Sequence, residues 1–254
     1  MRQVYFLQYL QKINFFLLLI IMIGFNQNTT IELCARWHQL GAFYSFSRNH
    51  NSDDCIDQDP VALGPVVVEA ARNSFLFRYG HLPYLYTLFY KVHRLGGTVL
   101  RPLFFEFPYD STVGQIDKQF MWGQALMVAP TLQQGEQRTN VYFPRGTWYH
   151  ALNHTRIDSS TGMFLVQESP LTSSANVYYR GGHIVPYQSA ELTTDQTRNG
   201  NFTLFVILDN ENATAFGQLY WDCGDGLDTE ELQQYNLYEF KVNNVSILAS
   251  ILLF

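Results

Sequence analysis

The spacing of apolar residues changes once along the chain, near Thr98. Upstream it is helical: Leu33, Trp37 and Leu40 fall at i, i+4 and i+7, and Leu85, Leu88, Phe89 and Val92 form a second stripe. Gly41 ends the first helix. Pro65 opens a second that runs to about Tyr79, and Pro83 begins a third that Gly96-Gly97 stops. Proline suits a first turn, whose N–H lacks a partner anyway, and glycine suits the exit. Between the first two helices, residues 42–46 (Ala-Phe-Tyr-Ser-Phe) read as a short buried strand, followed by Ser47-Arg48-Asn49-His50-Asn51 and an Asp-rich loop over 51–60. Downstream of Thr98 the runs are short or alternating, separated by Gly, Pro and Asn. They predict strands at 98–101, 119–128, 140–143, 146–150, 163–166, 175–180, 183–186, 202–208, 215–221 and 235–242. Ten short strands without long helices indicate β-sandwich modules. The polar stretch Ser189 to Gly200 is the best internal boundary.

Two further apolar runs lie at the ends. Phe15 to Phe25 follows a mildly basic lead with Arg2 and Lys12. It is well short of the roughly 20 residues of a membrane span. Its length fits a signal-peptide core, yet no small-x-small cleavage site follows. A signal, an anchor, a barrel strand and a misplaced start all remain open, and membrane attachment is expected only through this segment. The run Ile247 to Phe254 is too short to cross a bilayer.

Composition narrows the class. The 254 residues include 40 aromatics and 38 charged groups, with a net charge of −6. So few charges and so many aromatics exclude a disordered chain. No Lys/Arg cluster offers the basic face that nucleic acid demands, so no nucleic-acid partner is expected. Five Asn-x-Ser/Thr sequons, at Asn28, Asn153, Asn201, Asn212 and Asn244, favour the secretory pathway. Glycans are expected at Asn153, Asn201, Asn212 and Asn244, on β-module turns. The three cysteines, Cys34, Cys55 and Cys223, leave at least one thiol unpaired and have no zinc-site spacing. Neither a metal nor a cofactor is expected.

The stretch from Glu32 to Asn51, with Trp37-His38-Gln39-Leu40-Gly41-Ala42-Phe43 and Ser47-Arg48-Asn49-His50-Asn51, resembles a signature of glycoside hydrolase family 31. The likeness continues through Gln58-Asp59-Pro60, Leu82-Pro83-Tyr84-Leu85-Tyr86, Arg101-Pro102-Leu103-Phe104-Phe105-Glu106, Tyr142-Phe143-Pro144-Arg145-Gly146-Thr147-Trp148-Tyr149 and Arg180-Gly181-Gly182. It covers about residues 24–240 in order, and within the family it is most similar to the lysosomal α-glucosidase and maltase-glucoamylase/sucrase-isomaltase branch.

The resemblance implies an α+β chain: the end of a (β/α)8 barrel followed by antiparallel β-sandwich domains. The expected division is 1–23 (apolar segment), 24–102 (barrel end), 103–188 (proximal β-domain) and 189–254 (partial distal β-domain). It implies a retaining α-glucosidase acting on terminal α-linked glucose of oligo- or polysaccharides, with one Asp as nucleophile and another as general acid/base. Neither of the family's two catalytic Asp motifs occurs here, and the sole Gly-Asp pair, Gly224-Asp225, lies in the late β region. The chain alone is therefore expected to be inactive, with an α-glucoside as partner only in a longer protein. His50 matches the family's histidine that bonds glucose hydroxyls in the first subsite. Phe25 matches the aromatic wall of that pocket, and Arg48 stands beside His50 to order the loop. Where family members carry Asp-x-Cys, this chain has Ile21 and Ile23, which removes a pocket acid and the usual partner of Cys34. Cys223 replaces the second Asp of a Trp-Asp-Asp-Gly motif. Both ends read as a fragment or a misread gene. The competing expectation is a non-catalytic carbohydrate-binding or accessory protein derived from the family.

Overall fold

Thr30 sets the start of the first helix: its hydroxyl accepts the Leu33 N–H at 3.2 Å, one of the donors a helix N-terminus leaves without a partner. The computed structural model describes residues 20–21, 27–243 and 246–252, with side chains over 27–243; Phe25, Ile23 and Asn244 lie outside the described residues. Helix α1 spans Ile31–Gly41. Its buried side is polar as well as apolar, since Cys34, Ala35, Arg36, His38 and Gln39 face inward while Leu33 of the expected stripe points to solvent. Gln39 satisfies that burial by donating to the carbonyls of Pro170, Leu171 and Ser173, and Arg36 reaches Ser169, so α1 docks on a distant loop.

The expected strand at 42–46 is a turn. The N–H groups of Phe43 and Tyr44 bond back to Leu40 and Gly41 at 3.0 and 3.2 Å, continuing the helical curl rather than a ladder. The strand comes one step later: β2, Ser47–Arg48, pairs in parallel with β1, Ile20–Ile21. Helices α2 (Pro65–Gly80) and α3 (Leu82–Leu95) follow, separated by His81 alone. Proline stands in the first turn of each, Pro65 at the first position of α2 and Pro83 at the second of α3, and Gly96 caps the end of α3, as the sequence predicts.

The next strands are β3 (Leu100–Pro102), β4 (Phe120–Trp122), β5 (Leu126–Ala129), β6 (Arg138–Phe143), β7 (Gly146–His150), β8 (Arg156–Ser159), β9 (Met163–Glu168) and β10 (Asn176–Arg180); a one-turn helix α4 (Leu103–Glu106) follows β3. The single run expected over 119–128 is a hairpin that turns at Gly123, φ +53°. A Cβ there would lie 2.5 Å from Leu88 and 2.8 Å from the Tyr84 hydroxyl, so a side chain is excluded twice over. Six strands form one antiparallel sheet in the order β3-β4-β5-β10-β7-β8, and β6 pairs with β9 in a second. Met121, Met127, Tyr178 and Trp148 face β6 and β9, packing on Val141 and Phe143. The alternate residues Trp122, Leu126, Val128, Val177 and Tyr179 face the helices, packing on Phe43, Phe77, Leu85 and Leu88. Burial on both faces explains the near-continuous apolar runs.

The last sheet contains β11 (His183–Gln188), β12 (Phe202–Ile207), β13 (Thr214–Asp222), β14 (Tyr235–Asn243) and β15 (Ser246–Leu252) in the order β12-β11-β13-β14-β15. Sheet membership thus changes at Gly181-Gly182, and the polar stretch 189–200, with a short helix α5 (Thr194–Arg198), connects two strands of one sheet. Among the described residues no second sheet covers this one, so the expected second sandwich is a sheet on helices: Val185, Phe205 and Ile207 join the core of α2 and α3, while Ile184, Ala215, Leu219, Phe240 and Val242 form the opposite face. The C-terminal apolar run is the edge strand β15, paired antiparallel with β14. No helix among the described residues is long and apolar enough to cross a membrane.

Candidate functional site

The chain leaves β2 into a loop, 49–59, whose shape is fixed by side chains rather than by regular structure. Asn49 and Gln58 exchange amide hydrogen bonds: Asn49 Nδ2 donates to the Gln58 carbonyl at 2.9 Å, and Gln58 Nε2 donates to Asn49 Oδ1 at 3.0 Å. Gln58 is buried, so this pair closes the base of the loop. Farther out, Asn28 Oδ1 accepts the Ile56 N–H at 2.8 Å and Asn51 Nδ2 donates to the Ile56 carbonyl at 2.6 Å. His50 follows Asn49 into the loop and is half-buried, and Arg48 is exposed at the strand's end. Phe25, the expected aromatic wall, lies outside the described residues.

Upstream, the turn 42–46 is held by residues that nothing in the sequence singled out. Arg78 of α2 donates to the carbonyls of Ala42 and Tyr44, each at 2.6 Å, and to that of Ser45 at 3.3 Å. The Trp122 indole N–H of β4 donates to the Phe43 carbonyl. The Arg78 guanidinium lies 6.0 Å from the Trp122 ring centre, and its burial lowers its pKa to about 10, leaving it charged.

The acids of the loop are not a catalytic pair. Asp53, Asp54, Asp57 and Asp59 are all exposed. Asp54 accepts the Ser52 hydroxyl, which lowers its pKa, and Asp59 accepts the Val61 N–H at 2.9 Å. A general acid at neutral pH needs a raised pKa, and a retaining pair needs two carboxyls facing each other across a bond. Beneath the loop, burial pushes the Cys34 thiol up to about 12 and the neighbouring His38 imidazole down, so both are neutral packing groups. No group of three or more His, Cys, Asp or Glu side chains among the described residues could hold a metal ion. Asn153, Asn201 and Asn212 are exposed, while Asn244 lies outside the described residues.

Comparison with known proteins gives this loop its context. Residues 22–88 match the glycosyl hydrolases family 31 TIM-barrel domain, and residues 96–185 match the glycosyl hydrolase family 31 C-terminal domain. The chain belongs to glycosyl hydrolase family 31. Its boundary between the two family 31 matches falls at the end of α3, where helices give way to sheets. Lysosomal alpha-glucosidase of Rattus norvegicus is 41% identical over 242 residues, which cover 89% of this chain and 25% of that protein. Probable maltase-glucoamylase 2 of Homo sapiens is 43% identical over 217 residues, covering 85% of this chain and 8% of that one. Among solved family 31 structures, a glucosidase II alpha subunit with Glc1Man2 bound superposes with a TM-score of 0.84 at 27% identity, covering 89% of this chain and 25% of that one. The chain spans about a quarter of the length of the lysosomal alpha-glucosidases it matches.

Proposed function

We propose that this chain supplies the glucose-contacting loop of a retaining α-glucosidase, together with the β-modules that support it. The observation that carries the reading is the position of Arg48-Asn49-His50 at the C-terminal end of a parallel strand, on a loop clasped by Asn49 and Gln58. In (β/α)8 barrels the loops after the strands hold the residues that meet substrate. His50 would bond hydroxyls of a terminal α-linked glucose, Phe25 would form an aromatic wall, and Arg48 would order the loop. In this reading residues 24–102 are the end of the barrel, 103–188 the proximal β-domain and 189–254 part of a distal one, with β11 crossing into the distal sheet. The sequons and the lysosomal and intestinal relatives support a secretory-pathway location, with Asn153, Asn201, Asn212 and Asn244 as glycan sites.

Binding and cleavage separate cleanly here. Double displacement needs a nucleophile and an acid about 5–5.5 Å apart. His50 and its neighbours can hold the ground state and the transition state alike, which strengthens binding without lowering the chemical barrier. The chain alone therefore binds sugar and does not cleave it. A second reading, a non-catalytic carbohydrate-binding or accessory protein, is favoured by the exposed and solvated loop acids.

The test mixes the purified chain with a polypeptide carrying the barrel region of rat lysosomal alpha-glucosidase that contains its two catalytic Asp motifs. Hydrolysis of an aryl α-glucoside by the mixture, and by neither part alone, supports the enzyme reading. No hydrolysis, with D-glucose still perturbing His50 signals, supports the accessory reading. Turnover by the chain alone that is lost on substituting Asp53, Asp54, Asp57 or Asp59 overturns both.

A further inference from the structure

The turn before the His50 loop has an unusual hydrogen-bond pattern. In a strand, successive carbonyls point alternately to two neighbouring strands. In the turn, the four successive carbonyls of Ala42, Phe43, Tyr44 and Ser45 all accept from side chains: three from Arg78 and one from Trp122. The two donors come from different layers, α2 and the six-stranded sheet. Between them Phe43 is fully buried and tilts against both Phe77 and Trp122, with ring centres 5.4 Å apart in each case. The turn is thus gripped through its backbone and through the Phe43 side chain at once. Four residues separate Ser45 from His50, and two of them, Ser47 and Arg48, are fixed in the ladder with β1. A shift at the turn passes directly to the loop.

We infer that Arg78 and Trp122 form a clamp that positions His50, with Arg78 as its principal positioning residue. The inference rests on the reading of His50 as a sugar contact, and extends it: the β-sheet module takes part in shaping the glucose site through Trp122. Arginine suits the task because its planar fork reaches several carbonyls at fixed angles, whereas the lysine ammonium is a point charge on a flexible stem.

The experiment uses the whole chain, isotope-labelled, with His50 ring signals assigned by His50→Gln. Arg78→Met and Trp122→Phe are expected to move the His50 ring signals and the backbone amide signals of residues 43–50 in a common direction. Arg78→Lys should restore part of the wild-type positions, and Tyr84→Phe, which removes a bond to the Trp122 carbonyl without touching the turn, should leave them in place. Titration with D-glucose should show His50 shifts in the wild type, with affinity weakened about tenfold in Arg78→Met, the equivalent of about 1.4 kcal/mol. His50 signals that stay at their wild-type positions in folded Arg78→Met or Trp122→Phe overturn the clamp. If Arg78→Met does not fold, Trp122→Phe and Arg78→Lys decide by the same signals. A wild type whose His50 ignores glucose removes the sugar-contact reading alone, because the ring positions still judge the clamp.

Discussion

His81 Nε2 and the Tyr179 hydroxyl lie 2.6 Å apart where the helices and both large sheets meet. The imidazole fills the joint between α2 and α3, stacks on Phe77 at 4.0 Å, and meets Tyr187 of β11 and Phe205 of β12. Its Nδ1 lies 2.7 Å from the Phe77 carbonyl, which can only accept, so Nδ1 carries the proton and Nε2 accepts from Tyr179.

This arrangement makes stability fall in acid. Burial lowers the His81 pKa to about 4, and burial next to Arg180 does the same for His183. Unfolded, both titrate near 6.5. Between about 4 and 6.5 the unfolded chain therefore binds more protons than the folded one, and stability is lost as pH drops through that window. Below it both states are protonated and these two groups cause no further loss. Each contributes up to about 3 kcal/mol. Urea midpoints measured from pH 7 to 4 should fall, and His81→Phe should reduce the slope by about one proton. A midpoint that rises over that range contradicts the assignment.

Thiol reactivity should rank the cysteines by exposure. Cys223 is exposed, Cys55 half-buried, and Cys34 buried with its thiol near His38 and the Gln58 carbonyl. The thiolate is the reactive form, and a pKa of about 12 keeps Cys34 almost wholly protonated at neutral pH. An aromatic disulfide reagent should modify Cys223 quickly, Cys55 more slowly, and Cys34 only on unfolding. Peptide maps of unreduced protein should show no bridge between Cys34 and Cys223.

The helices were legible because proline and glycine mark their ends locally, and β10 because burial on both faces leaves an unbroken apolar run; the turn at Gly123 that divides 119–128 into β4 and β5 was not. Nor was the turn at 42–46. Five residues of the right composition look like a strand, and what bends them is Arg78, 33 positions beyond Ser45, and Trp122, 79 beyond Phe43. Strand β8 escaped notice because Ile157 is the one apolar residue in Arg-Ile-Asp-Ser, as befits a sheet edge. His50 stood out only through resemblance, since a lone histidine after an aromatic run carries no chemistry of its own. The side chains that hold its loop carry no local signal at all.

Glycosylation should be visible as a mass shift. Asn153, Asn201 and Asn212 sit on exposed turns, and Asn153 and Asn212 lie in tight loops that present their side chains beside β8 and β13. Expression in secretory cells should give a gel shift that endoglycosidase removes, with a stepwise loss in Asn153→Gln, Asn201→Gln and Asn212→Gln. An unshifted secreted chain would remove these three sites.

The bond between Tyr86 and Asp222 should prove the strongest tie between helix α3 and the five-stranded sheet. Asp222 Oδ2 accepts the Tyr86 hydroxyl at 2.7 Å and the Tyr220 hydroxyl at 2.9 Å, while Oδ1 accepts the Gly224 N–H at 2.8 Å and lies 3.5 Å from Arg198. The carboxylate side chain is only 2% exposed, so these partners stand in for water around it. Arg198 in turn stacks over Trp221 at 4.0 Å and packs toward Tyr86, which ties α5 to the same node. Removing one partner of a buried ion leaves the rest uncompensated, whereas trimming a single hydroxyl removes one bond to a charge. Asp222→Ala should therefore cost about 3–5 kcal/mol. Tyr86→Phe should cost about 1.5–3 kcal/mol. The two losses should not add, because the Tyr86 bond is already gone once Asp222 is removed. Urea unfolding of both single variants and the double variant measures this directly. Strict additivity would mean that the loss in Tyr86→Phe, which keeps the ring and its packing on Tyr220, does not come from the bond to the carboxylate.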